Sequence, residues 1–494
     1  MWVGLCAVNL VPIWWTDRFP SQNGPWFLLA THMFKEYNNP NWDYSKYYVR
    51  NWLPFPHLLH DTLVGLVAHV APLLTAERIV LSLYVILLPL SVFYFLSSLA
   101  PGRRWPGYLA FLVVLHYTFM RGYHDYTLSI PLFFITVAYW YPRRDRLTVG
   151  DAVILCGLGV LTYLSHLLTF AFLAGSIGWL RLFETGRWGK AFRDALIVSS
   201  AGWVLFVVFI LLSPKSNWVD KSDTSWKTPY ENAKSVCGEF FFSVSEYGAA
   251  LATAASVWGV LWVFAQRRRA QGTEIPGILK TLRSPLGSLL IFFIVAYFAT
   301  PYKVIGWHKA NMRLLPISFI LMLGVLAQML PKDLSFRRAL GLLFPVVIAA
   351  CGSCALLTRE IVRMHSMVDT YLSGIEHVGE KPVLLSVLID NPAFGGIRPI
   401  TRARDYYHIV KGGVNGDGIA AFNTIALMSY RHYPVSDSFP PYDREATDAV
   451  AVEKLRLYDH VLVWGESERL RSQLKDAAFA LVHEKGPLQV YRIQ

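Results

Sequence analysis

Asp17 stands directly after an apolar run, in "WWTDRFPSQNGPWF", where a carboxylate meets the edge of the hydrocarbon. Such a group is costly unless paired, and its usefulness is as a general base or as an anchor for a nucleophile. A simple ion pair with Arg18 is the alternative. A second set of groups lies in "TPYKVIGWHKANMRLLPISF", where Lys303, His308, Lys309 and Arg313 cluster ahead of an apolar run. Arginine offers a bidentate fork and lysine a point charge, so the set suits phosphate, with ordinary snorkelling cations as the alternative. Two further groups combine imidazole and carboxylate. His57, His60 and Asp61 repeat at i, i+3 and i+4 in "LPFPHLLHDTLVGLVAHVAP". Arg121, His124 and Asp125 crowd the turn "FMRGYHDYT", either lining a pocket or forming a solvated turn.

The elements that must hold these groups are set by hydropathy. Of 494 residues, 54% are hydrophobic, with 46 Lys and Arg against 34 Asp and Glu. Apolar runs near 2–15, 77–99, 105–120, 126–141, 148–164, 167–182, 192–213, 241–265, 285–300, 313–330 and 338–357 predict about 11 spans, several short for a bilayer core of about 30 Å. The first run has no basic segment ahead of it and no small-residue cleavage site, so it is expected to stay as a short span.

The positive charge sits in the short loops "PGRRWPG", "YPRRDRL", "RLFETGRWGKAFR", "AQRRRAQG…LKTLR" and "PKDLSFRR". That placement marks a cytoplasmic face and argues against nucleic acid as the partner. All five loops share one face only if 53–72 does not cross. With Pro56 and Pro72 bounding it, this segment is expected to lie on the outer surface, a short kinked span being the alternative. The N-terminus is then inside. Loop 16–76, the turn at 121–125, the loops at 214–240 and 301–312, and the chain after 357 lie outside, together with every group named above.

Loop 16–76 should carry two surface helices. Gly24-Pro25 is a helix-start signal. Trp26, Leu29, Ala30, Met33, Phe34 and Tyr37 then form one apolar face, suited to the membrane interface. The 214–240 loop reads as a polar cover. Beyond 358, "KPVLLSVLID", "YDHVLVWGES", "FALVHEK" and "LQVYRIQ" predict strands and "ERLRSQLKDAA" a helix, giving a small soluble α/β domain over 358–494. The Gly-rich "VKGGVNGDGIAAF" lacks the strand–helix context of a phosphate loop and is read as a turn. Five cysteines, mostly within apolar runs, are read as small apolar residues.

This layout resembles the GT-C class of membrane glycosyltransferases, similar to protein mannosyltransferases and lipid A aminoarabinose transferases. The resemblance rests on an early Asp after the first span, a long outer loop with two juxtamembrane helices, and a soluble C-terminal domain. Locally it rests on "LPFPHLLHDTLVGLVAHVAPLLTAERIVLSLY" with Arg78, on "NMRLLPISFILMLGVLA", and on the tail "YDHVLVWGESERLRSQLKDAAFALVHEKGPLQVYRI". It implies a polytopic α-helical membrane domain over 1–357. It also implies a polyprenyl-phosphate sugar as donor, a glycan, lipid or protein as acceptor, and a site facing outward from a bacterial inner membrane.

Asp17 would be the base or would position the acceptor. Arg313, with Lys303, Lys309 and His308, would hold the carrier phosphate, and Arg121, His124, Asp125, His57 and His60 would line the pocket. Many members carry a second acid just after the first, where this chain has Arg18. Glu36, Asp43 and Asp61 are the acids left to fill that part, and a divalent metal stays open. A lipid-linked polysaccharide polymerase or ligase would share the basic outer face. A transporter or flippase would favour ionisable residues at mid-bilayer and internal repeats, and neither is evident. A catalytically silent member is the remaining alternative.

Overall fold

Backbone in hydrocarbon must satisfy its hydrogen bonds within its own segment, so the apolar runs of this chain become helices. The computed structural model describes residues 1–213, 224–236, 245–270, 276–304, 307–332, 334–415, 427–431 and 455–494. Helices named here are α1 (Trp2–Trp14), α2 (Gly24–Lys35), α3 (Leu59–Val67), α4 (Leu73–Leu99), α5 (His124–Trp140), α6 (Val149–Ser165), α7 (Leu167–Thr185), α8 (Trp188–Leu212), α9 (Glu246–Arg269), α10 (Pro285–Ala299), α11 (Leu315–Gln328) and α12 (Phe336–Leu372).

Among the described residues, six helices are long and apolar enough to cross a membrane. They are α4, α7, α8, α9, the segment Asn311–Gln328 containing α11, and Phe336–His377 containing α12. Helices α1, α6 and α10 are apolar but shorter. These helices suit an integral membrane protein.

Three segments differ from the simplest reading of the sequence. The run at 105–120 is not one helix: a 3-10 segment at Trp105–Leu112 is followed by a separate short helix at Tyr117–Met120. Most of the segment is buried in protein, where irregular backbone is tolerated. Helix α4 begins at Leu73, so Glu77 lies inside it. Helix α12 does not stop at 357. It runs unbroken to Leu372, and the boundary between 357 and 358 falls inside it.

The 16–76 segment packs against the C-terminal region. As the Gly24-Pro25 signal predicts, α2 starts at Gly24. Its face does not lie bare: Leu28, Leu29 and Met33 are buried, and helix α13 (Asp405–Lys411) packs on it. Tyr44 donates a hydrogen bond to the His408 carbonyl at 2.5 Å, and Asp43 pairs with Lys381 at 3.1 Å. Strand β1 (Tyr48–Arg50) pairs antiparallel with Met428–Tyr430.

The predicted C-terminal strands appear at Val383–Leu388, His460–Trp464, Phe479–Lys485 and Leu488–Ile493, and the predicted helix at Glu468–Asp476. The first two are parallel neighbours, Leu488–Ile493 runs antiparallel to His460–Trp464, and Phe479–Lys485 closes that edge. Val414–Asn415 adds a short parallel strand at the other edge, whereas 416–426 lies outside the described residues. Much of the 214–240 loop does too, apart from a helix at Pro229–Ser235.

Candidate functional site

The exit of α1 is fastened to the start of α4. Trp14 donates from its indole to Ser82 Oγ at 2.9 Å, the Arg78 guanidinium lies 4.7 Å from the Trp14 ring centre, and it donates to the Thr16 carbonyl at 2.9 Å. This brings the next residue, Asp17, to the extended end of α12. There His365 and Asp369, one turn apart, present a ring and a carboxylate. The Asp17 Oδ1 to His365 Nε2 distance is 2.5 Å, and His365 Nδ1 lies 3.0 Å from Asp369 Oδ2. Arg18 spans both acids, donating to Asp369 Oδ1 at 2.7 Å and Asp17 Oδ2 at 3.2 Å.

Burial raises the Asp17 carboxyl, but the His365 hydrogen bond and the charges of Arg18 and His365 outweigh it. The group is held below the usual carboxylate range. Its side chain is 60% exposed, on the wall of an open groove of about 820 Å³. Leu73, Leu74, Leu372 and Ile409 give the groove an apolar wall, and its charged lining is Arg18 and Lys485 with Asp17, Asp369 and Glu376.

A second constellation is sealed from solvent. The turn after Tyr117–Met120 folds tightly at Gly122, whose φ is +82°. A β-carbon there would stand 2.8 Å from Gly24 N and 2.9 Å from Asn23 N, so only glycine lets the two segments meet. Asn23 N donates to the Arg121 carbonyl at 3.2 Å. Beneath them, Glu77 and His124 flank Gly24. His60 N donates to Asp125 Oδ1 at 2.9 Å, and His60 Nδ1 faces Asp61 Oδ1 at 3.2 Å. The His60 and His124 ring centres are 4.9 Å apart, as are those of His57 and His166. His57 adopts a φ of +80°, a strained backbone for a residue with a β-carbon.

Burial drives the Asp61 carboxyl well above its usual range. It lowers His60 against the pull of Asp125, and, with the Arg313 charge, lowers His57 to about 3.

The cations form a third group around tyrosines. Tyr117 OH accepts from Arg121 at 3.0 Å and from Lys309 at 2.8 Å. Arg313 is buried with its guanidinium 5.2 Å from the Tyr123 ring centre, and Tyr126 OH donates to its carbonyl at 2.5 Å. Lys303 pairs through its backbone with His308 in a two-residue ribbon.

The structure therefore brings together His57, His60, Asp61, His124, Asp125 and Arg313, and separately Arg121 with Lys309. Arg313 is not among the residues lining the Asp17 groove. Glu36 and Asp43 are engaged elsewhere, Glu36 with Asn39 at 3.0 Å and with Lys35, Asp43 with Lys381. Tyr406 links the exposed and sealed regions: it lines the Asp17 groove, and its buried phenol is pushed well above the usual range by burial and by the nearby Glu77, with Asp17 and Asp405 adding and Arg18 opposing.

The residues missed from the sequence are His365, Asp369, Glu77 and Tyr406. Only the i, i+4 spacing of His365 and Asp369 in "MHSMVDTYL" hinted at the first two. No family model, no curated protein and no solved structure matches the chain.

Proposed function

We propose that this protein is a membrane glycosyltransferase of GT-C type, moving a sugar from a polyprenyl-phosphate carrier to an acceptor hydroxyl on the outer face of the membrane. In this reading about 11 segments cross a bacterial inner membrane, the N-terminus is cytoplasmic, and the C-terminal region is extracytoplasmic. One observation carries it: a solvent-reached carboxylate, Asp17, coupled to His365, on the wall of a groove that opens at the first turn of a spanning helix. A lipid-linked substrate approaching along Leu73 and Leu74 would meet water, cations and a base within one space.

The chemistry divides among the groove residues. An acceptor hydroxyl beside Asp17 gives up its proton to the Asp17–His365 pair as its oxygen attacks the anomeric carbon. Asp369 holds the imidazole in place. The sugar–phosphate oxygen bond breaks, and the lipid phosphate leaves with its negative charge, which Lys485 would stabilise while Arg18 stays engaged with Asp17 and Asp369. Arg313, Arg121 and Lys309 remain the alternative phosphate holders.

The test is transfer by the full-length protein in detergent, supplied with a panel of radiolabelled polyprenyl-phosphate sugars and cell-envelope acceptors. Wild type should transfer label, and Asp17→Asn should lose about 10²–10⁴-fold. Full transfer by a well-folded Asp17→Asn protein would overturn the assigned base. Absence of both transfer and binding of polyprenyl phosphate by wild type would overturn the class.

A further inference from the structure

The sealed constellation has unmet coordination capacity. A ligating atom from each of His60, Asp61 and Asp125 lies within 4.8 Å of the other two. His60 and His124 are each 1% exposed, and Asp61 and Asp125 each 3%. The His60 backbone uses Asp125 Oδ1, but Asp125 Oδ2 has no hydrogen-bond partner among the described residues. With His60 Nδ1 turned to Asp61, its Nε2 is likewise unpartnered, and so are both ring nitrogens of His124. Neither carboxylate is ion-paired to a Lys or Arg among the described residues.

Two carboxylates buried side by side cannot both ionise without a cation beside them. One dication lifts that limit and uses the open lone pairs. Two imidazoles and two carboxylates form a mixed nitrogen and oxygen set, which favours zinc-like ions over magnesium or calcium.

We propose that His60, Asp61 and Asp125, with His124 as the fourth donor, bind one divalent transition cation of the zinc class. Its effect is to clamp α3 to the first turn of α5. Two contacts already hold the same neighbourhood: Ser165 Oγ donates to the Asp125 carbonyl at 2.6 Å, and Leu58 N to the Leu164 carbonyl at 2.8 Å. The cation completes that junction from the polar side. Tetrahedral zinc needs donors about 3.3 Å apart, so the three groups close inward on binding. The inference is independent of the transfer reaction.

The experiment uses the full-length protein in detergent, stripped with chelator and re-equilibrated with zinc chloride, then freed of unbound metal and measured for metal content and thermal unfolding. About one zinc per chain and a raised melting temperature are expected, with magnesium giving neither. Asp125→Asn and His60→Gln each alter a direct ligand, so both should lose most of the zinc uptake. Should those variants fail to fold, cobalt added to the stripped wild type provides the readout, with tetrahedral visible bands expected. Wild type that takes up well under one equivalent, or shows no cobalt bands, overturns the site. Equal uptake by folded variants, or the same melting shift from magnesium, overturns the assigned ligands or metal class.

Discussion

Asp17 and Asp61 both belong to the 16–76 segment, yet their surroundings move them in opposite directions. Asp17 is mostly exposed, and His365 with Arg18 keeps it ionised. Asp61 is sealed, touches His60, and is raised by burial. The difference teaches that a carboxylate's sequence position at a membrane edge does not set its chemistry. What decides is whether a cation or a low-dielectric wall reaches it first.

The largest test of the contrast is activity. Asp17→Asn should abolish most transfer and His365→Ala should approach it, whereas Asp43→Asn should leave transfer near wild type, as scintillation counting of product will read. Next comes the close approach of the 121–122 turn to Asn23 and Gly24. Gly122→Ala should destabilise the fold by roughly 2–4 kcal/mol through its positive φ and the collision with Gly24 N. Thermal unfolding in detergent measures it, and an unchanged melting temperature would refute the close approach.

The third test is pH, with divalent cations chelated. The depressed Asp17 contributes stability present above about pH 4, its unfolded value, and lost as pH falls through its lower folded value. The raised Asp61 acts the other way. Its contribution is complete below about pH 4 and is lost as pH rises through its elevated folded value. Melting curves across pH should therefore lose their acid limb in Asp17→Asn and their loss toward alkaline pH in Asp61→Asn. The smallest effect belongs to the half-exposed Asp43–Lys381 pair. Lys381→Ala should cost under about 1 kcal/mol, because water screens such pairs.

Much of the architecture was legible in residue patterns. Gly24-Pro25 announced α2, and the alternating apolar residues of "YDHVLVWGES" and "LQVYRIQ" announced strands. Of the polar stripe His57, His60 and Asp61, only His60 and Asp61 lie on a helix, and they turn inward to protein; His57 precedes it at φ +80°. Glu77 hid the true start of α4, because a charge at a span's end reads as its limit until a pocket is seen around it. The irregular 105–120 segment read as a span because its composition is apolar; only its burial among neighbours permits the break. His365 and Asp369 were missed for a related reason. After 357 the helix becomes amphipathic, and loss of hydropathy looks like loss of helix.

That extended helix also acts as a protractor. Beyond Pro345 no proline interrupts α12, so the angle at which His365 faces Asp17 is fixed by the number of residues between them and the membrane. One residue inserted or deleted in this stretch would turn the far end by about 100°, and would rotate the imidazole away from the carboxylate without altering any residue of the groove. Three or four inserted together would nearly restore the facing direction while shifting it along the axis by about 5 Å. The pairing of Asp17 with His365 is thus a matter of angular phase, set from within the bilayer.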